Sequence, residues 1–159
     1  MNTVVPFFTP HLATRGAAIS SAQPHEGATY PYPMLITLPQ TKIQEVHDLA
    51  KVIHLHYDEY KDADPGAIGW ALDRQILQWQ VPYHEGAVQY LRSVGVWGEA
   101  EDAHNNRLIA RQDLLAEAWQ THVAANKGKA DFVALWYQAR ALALTAAGFD
   151  PVWQDPGPG

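Results

Sequence analysis

Apolar residues recur in helical rhythm along most of the chain after residue 40. From Thr41 to Lys61, Ile43, Val46, Ala50, Ile53, Tyr57 and Tyr60 stand three or four apart, the pattern of one buried helical stripe. Asp64-Pro65 reads as an N-cap followed by proline at the first helical position. It opens a second helix carrying Ile68, Leu72 and Ile76 towards Trp79. A third helix, over about residues 84 to 94, shows Ala87, Tyr90, Leu91 and Val94 on its stripe, with Gly95 as its stop. A long fourth helix runs from about Glu99 to Asn126, with Leu108, Gln112, Leu115, Trp119 and His122/Val123 aligned. The fifth, from about Ala130 to Ala147, includes Phe132, Leu135, Trp136, Ala139 and Leu142, and Gly148 ends it ahead of Asp150-Pro151.

The first 33 residues follow no such rhythm. Pro6, Pro10, Pro24, Pro31 and Pro33 interrupt them, which predicts an extended arm lying along another surface. Met34-Leu35-Ile36-Thr37-Leu38, bounded by Pro33 and Pro39, predicts the one short strand. One strand makes no sheet, so its backbone edge calls for pairing with another chain. The expected fold is therefore mainly α: about five helices, one short strand and an extended Pro-rich N-terminal arm. It divides into an arm (1–33), a mainly helical domain (34–149) and a flexible tail (150–159).

Composition narrows the function. With 159 residues, 47% hydrophobic and 18% charged, the chain suits a folded domain with a core. Its net charge of −6, from 17 acids and 11 bases without a basic cluster, argues against a nucleic-acid surface. No apolar run approaches the ~20 residues of a membrane helix, so the protein is not expected to be membrane-inserted. The absence of cysteine excludes disulfides, thiolate metal sites and a cysteine nucleophile. Met1 to Gly16 lacks a basic n-region and is interrupted by Pro6 and Pro10, so it does not read as an export signal. That fits either a protein that stays inside the cell or a piece of something exported.

Candidate chemistry is sparse. His47, His54 and Asp58 share one helical flank at spacings of seven and four; a structural pairing is the ordinary reading, and no metal site is assigned to them. His54 and His56 point about 200° apart on a helix and cannot chelate one ion there. Ser20, Ser21 and Ser93 lack a nucleophile-elbow context, and no Gly-rich phosphate loop is present. Neither independent catalysis nor a cofactor is expected. Tyr83-His84-Glu85 sits at a helix start, where free N–H groups favour an anionic ligand; the alternative is that His84 caps the helix. The six tryptophans are mostly core by their spacing. Trp153 beyond the last helix, with Trp97, Phe7 and Phe8, is a candidate partner contact. Arg111 and Arg140 ordinarily take carboxylate partners.

One segment carries a resemblance. Pro82-Tyr83-His84-Glu85-Gly86-Ala87, followed by Tyr90 and Gly95, is similar to the "Pro-x-His-x-Gly-Ala…Tyr…Gly" stretch near the C-terminus of TAXI-family solute receptors of TRAP transporters. Tyr30-Pro31-Tyr32-Pro33 resembles that family's entry into a hinge strand. Further similar pieces are the run Tyr57 to Trp70, His104-Asn105, Arg111-Gln112 with Leu115 and Trp119, and Trp136…Arg140…Leu144…Gly148. Together they span roughly residues 16 to 153 and match only the C-terminal part of those longer, two-lobed α/β receptors. The resemblance implies a periplasmic setting and a partial or split receptor module. Such a module would bind a small organic carboxylate together with a missing N-terminal half, using His84, Glu85, Tyr83 and Tyr32. The alternative is an accessory subunit of a larger hetero-oligomer, with any chemistry in the partner. Both expect a protein partner that supplies the rest of the sheet or cleft.

Overall fold

The structure, a computed structural model, describes residues 7–29 and 33–152. Among them are five α-helices and one two-stranded sheet, so the fold is mainly helical. The chain divides into two units, Met1–Ala103 and His104–Gly159.

Unit 1 opens with strands where an extended arm was expected. β1 (Thr9–Ala13) pairs antiparallel with β2 (His25–Thr29), Thr9 opposite Thr29 and Ala13 opposite His25. Within the connection, isolated bridges Gly16↔Ile19 and Ser20↔Gln23 mark two local tight turns. Pro10 stands in a two-stranded ribbon, whose strands are both edge strands, the setting in which a sheet accepts proline. The strand expected at 34–38 does not form. Met34, Leu35 and Ile36 make no backbone hydrogen bond, and only the Leu38 carbonyl is engaged, by Thr41 N–H at 3.0 Å.

The helix expected over 41–61 is divided. α1 covers Ile43–Leu55, His56 leaves helical geometry at φ −99°, ψ 13°, and α2 is the single turn Tyr57–Tyr60. The break sets the Tyr57 and Tyr60 rings edge to face at 5.7 Å and lets the Tyr60 hydroxyl donate to the Ile53 carbonyl. The inner side of α1, at Val46, His47, Ala50, Ile53 and His54, is half-buried; of the predicted stripe on this helix, Val46, Ala50 and Ile53 lie there, while Ile43 is exposed.

Residues 64–79 correct the sequence reading more sharply. Instead of a helix they form two 3-10 turns, Ala67–Trp70 and Leu72–Arg74. Gly66 and Gly69 dilute helix propensity, and the Asp64 carboxylate accepts from the Gly66 N–H at 2.7 Å, which favours a turn.

α3 (Glu85–Ser93) completes the unit. Its Val88 and Leu91 form the core with Trp97, and Leu72, Leu77, Tyr83 and Val96 pack around them. Gly95, at φ 79°, ends α3 in a Schellman motif: Val96 N–H reaches Leu91 O and Gly95 N–H reaches Arg92 O.

The 28-residue α4 (Glu99–Asn126) begins in unit 1 and supplies the first helix of unit 2. In unit 2, α5 (Phe132–Ala146) ends in a second Schellman motif at Gly148, where Phe149 N–H bonds Leu144 O at 2.8 Å. Arg107 donates to the Gly148 carbonyl at 2.8 Å and lies over the Phe149 ring, clamping that end. Leu144 and Arg140 are buried; burial first, then the like charge of Arg111, draws the Arg140 guanidinium below its ordinary pKa.

Candidate functional site

The segment that opens α3 is positioned by one close backbone approach. A Cβ on Gly86 would overlap the Ile43 carbonyl oxygen, and would lie 2.8 Å from His47 N and 2.9 Å from Val46 Cβ. Only glycine fits, so α3 rests directly on the first turns of α1.

His84 immediately precedes this contact and takes an extended N-cap conformation, φ −67°, ψ 144°. Its Nδ1 accepts from Gly86 N–H at 3.1 Å, and its Nε2 lies 3.1 Å from the Thr41 carbonyl oxygen. The carbonyl can only accept, so the ring is the neutral tautomer with its proton on Nε2. Both nitrogens are therefore used in fixing the helix start. Glu85 is exposed and accepts from Gln89 at 2.9 Å. The Tyr83 ring meets Trp97 at 5.2 Å, and burial raises its phenol pKa. Of the four residues expected to bind ligand, Tyr83, His84 and Glu85 are thus adjacent, and Tyr32 lies outside the described residues.

Further along α3, Tyr90 is buried and its hydroxyl shares a 2.7 Å hydrogen bond with His54 Nδ1 on α1. The His47 ring stands edge-on to it at 5.6 Å. The His47/His54 flank read from the sequence is therefore real, but it converges on a phenol. Asp58 pairs instead with Lys61 at 2.6 Å, and among the described residues no three His, Asp or Glu side chains are grouped to hold a metal. An open groove of about 440 Å³ lies beside this pair, lined by His54, Leu55, Tyr57, Asp58, Leu72 and Asp73.

A second network seals the other end of α3. Trp97, only 4% exposed, donates its indole N–H to Asp102 at 2.8 Å, and Arg92 contacts both Asp102 oxygens at 2.7 and 2.8 Å. The indole bond first, and Arg92 second, hold the Asp102 carboxyl below its usual range. Glu101 accepts from the Gly98 N–H at 3.0 Å, half of a capping box at the start of α4, and from Gln78 at 3.0 Å. The Gly98-x-x-Glu101 spacing signals this cap in the sequence; the tie from Asp102 to Trp97 has no such signal. Trp97, expected to face a partner, lies inside the unit 1 core. Phe7 is exposed, Phe8 is half-buried, and the Phe7 carbonyl accepts from Trp79 at 3.2 Å. Trp153 lies outside the described residues.

Unit 2 holds one more polar group of note. His122, 3% exposed, has rings of Trp119, Phe132 and Trp136 within 5.8 Å of its own. Lys129 donates to the Asn126 side-chain oxygen, so the Asn126 amide donates to His122 Nδ1 at 3.0 Å, and Nε2 is buried without a partner.

No family model, curated protein or solved structure matches this chain.

What the arrangement can do therefore rests on its own geometry. The polar groups around α3 bond to one another and to backbone, which makes them a scaffold joining α1, α3 and the start of α4. The unit 1 groove is lined by Asp58, already paired with Lys61, and Asp73, and its lining includes no Lys or Arg side chain to meet a carboxylate ligand. No helix among the described residues is long and apolar enough to cross a membrane.

Proposed function

We propose that this chain is an accessory subunit of a hetero-oligomer, completed by another polypeptide that covers its apolar surface. The supporting observation is the imbalance between core and surface. Among the described residues the buried hydrophobic core is Val88, Tyr90, Leu91, Trp97 and Leu144. Leu35, Ile36, Leu38, Val52, Leu55, Val133 and Leu142 are each more than half exposed. Single exposed apolar residues are ordinary, but a run such as 34–38 marks an interaction site. The solute-receptor role implied by resemblance draws less support: His84 spends both ring nitrogens on the fold, and the lining of the unit 1 groove includes no Lys or Arg to hold a carboxylate.

Native mass spectrometry of the protein from its source tests this. A stable complex with a different chain is the expected result. A soluble monomer that binds a small carboxylate at micromolar strength overturns it.

A further inference from the structure

We propose that His84 is an acid-operated latch: a proton on its Nδ1 releases the first turn of α3 from α1. This stands apart from the accessory-subunit reading and is a property of the chain by itself. Its basis is the opposed roles of the two ring nitrogens. Nε2–H donates to the Thr41 carbonyl at 3.1 Å, while the bare Nδ1 accepts from the Gly86 N–H at 3.1 Å. These two backbone groups are the ring's hydrogen-bond partners.

Neutral imidazole fills both roles, and imidazolium cannot. The charged ring carries a proton on each nitrogen. With Nε2 held on Thr41, the new Nδ1–H would meet the Gly86 N–H, donor against donor, beside the positive end of the α3 dipole. Either the Thr41 bond breaks or the helix start moves away. Caps ordinarily use an oxygen of Ser, Thr, Asn or Asp, none of which loses its acceptor near neutral pH. Histidine does, because an ordinary imidazole takes its proton at about pH 6.5.

The cap restrains the seat of Gly86, where α3 rests on the backbone of Ile43 and His47 with no side chain between. Glu85 accepts from Gln89, so Nδ1 is the side-chain acceptor at this helix start. The titratable groups of the packed elements are engaged elsewhere. On α1 and its N-cap, Lys42 pairs with Glu45 at 3.1 Å, His47 with Asp48 at 3.0 Å, and His54 bonds Tyr90. No carboxylate is bonded to the His84 ring to offset an imidazolium charge.

Two measurements on the full chain test the latch. Nitrogen-15 NMR from about pH 7.5 to about pH 4.5 reads the His84 ring nitrogens and the Gly86 amide together. The Gly86 resonance should move with the same midpoint as the ring. A ring that charges while Gly86 stays in place overturns the proposal, and so does a ring that keeps Nδ1 bare throughout. Urea unfolding then compares this chain with His84→Asn, whose cap oxygen does not titrate. Between about pH 7.5 and about pH 5, the folding constant should fall about three- to tenfold relative to the variant, because the unfolded chain takes up a proton that the capped ring resists. The other histidines and the carboxylates cancel in that ratio. An equal pH dependence in the two proteins overturns the latch.

Discussion

His54 Nδ1 and the Tyr90 hydroxyl lie 2.7 Å apart, joining α1 to α3 across 36 positions of sequence. Tyr90 is buried, so its hydroxyl needs that partner, and desolvation raises its phenol pKa. Tyr90→Phe keeps the ring and strips the bond, leaving the His54 nitrogen unpaired. Stability should fall by about 1–2 kcal/mol, measured as a lower urea midpoint at unchanged slope. An unchanged midpoint would show that the bond contributes nothing net.

Gly86→Ala should be the more damaging change, although it adds one methyl. That methyl meets the Ile43 carbonyl and the backbone at His47, which cannot swing aside as a side-chain end can. The helices must separate, at about 3 kcal/mol. Gly95→Ala meets nothing within 4 Å but forces a side chain into φ 79°, and should cost about 1 kcal/mol. Thermal melts of the two variants should rank in that order.

Replacing His84 with Ala removes the N-cap acceptor of α3 together with the bond to Thr41. A loss of about 1–2 kcal/mol is expected, and His84→Asn, which restores a cap but not the reach to Thr41, should recover part of it. Equal loss in both variants would assign the whole effect to the Thr41 contact.

Acid should weaken unit 1 through Asp102. The indole of Trp97 and then Arg92 depress its folded pKa, so the unfolded chain binds this proton at higher pH than the folded one. The stabilisation is complete above about pH 4 and is lost as pH falls through the folded value. Glu101, lowered first by Gln78 and then by Gly98 N–H, adds a loss of the same sign. Urea unfolding from pH 6 downward should show the decline, and Asp102→Asn should lower the plateau while making the acid limb shallower.

The helix boundaries that rest on glycine were readable from the sequence because a left-handed C′ residue leaves a local mark: Gly95 and Gly148 both close helices, at φ 79° and 73°. The inner side of α1 was readable in part, because periodicity records burial at Val46, Ala50 and Ile53, but it misplaced Ile43, which is exposed. The hairpin was hidden because β1 and β2, TPHLA and HEGAT, contain Pro10 and Gly27 and carry β-branched side chains only at their outer ends, Thr9 and Thr29. Residues 64–79 misled because Ile68, Leu72 and Ile76 keep helical spacing while Asp64, Gly66 and Gly69 favour turns. The Met34–Leu38 run read as a strand from composition, and among the described residues no strand pairs with it. At the candidate site, both uses proposed for His84 were open from sequence. The Thr41 carbonyl, 43 positions away, is what commits the ring to capping.

The bare backbone contact at Gly86 also constrains how the chain acquires its structure. α3 is nine residues long, too short to persist in water as an isolated helix, and its partner turns on α1 lie some forty positions earlier. The two therefore become ordered in one cooperative step, after a long excursion of chain has closed. A peptide cut to span only the motif from Pro82 to Trp97 would be a random coil.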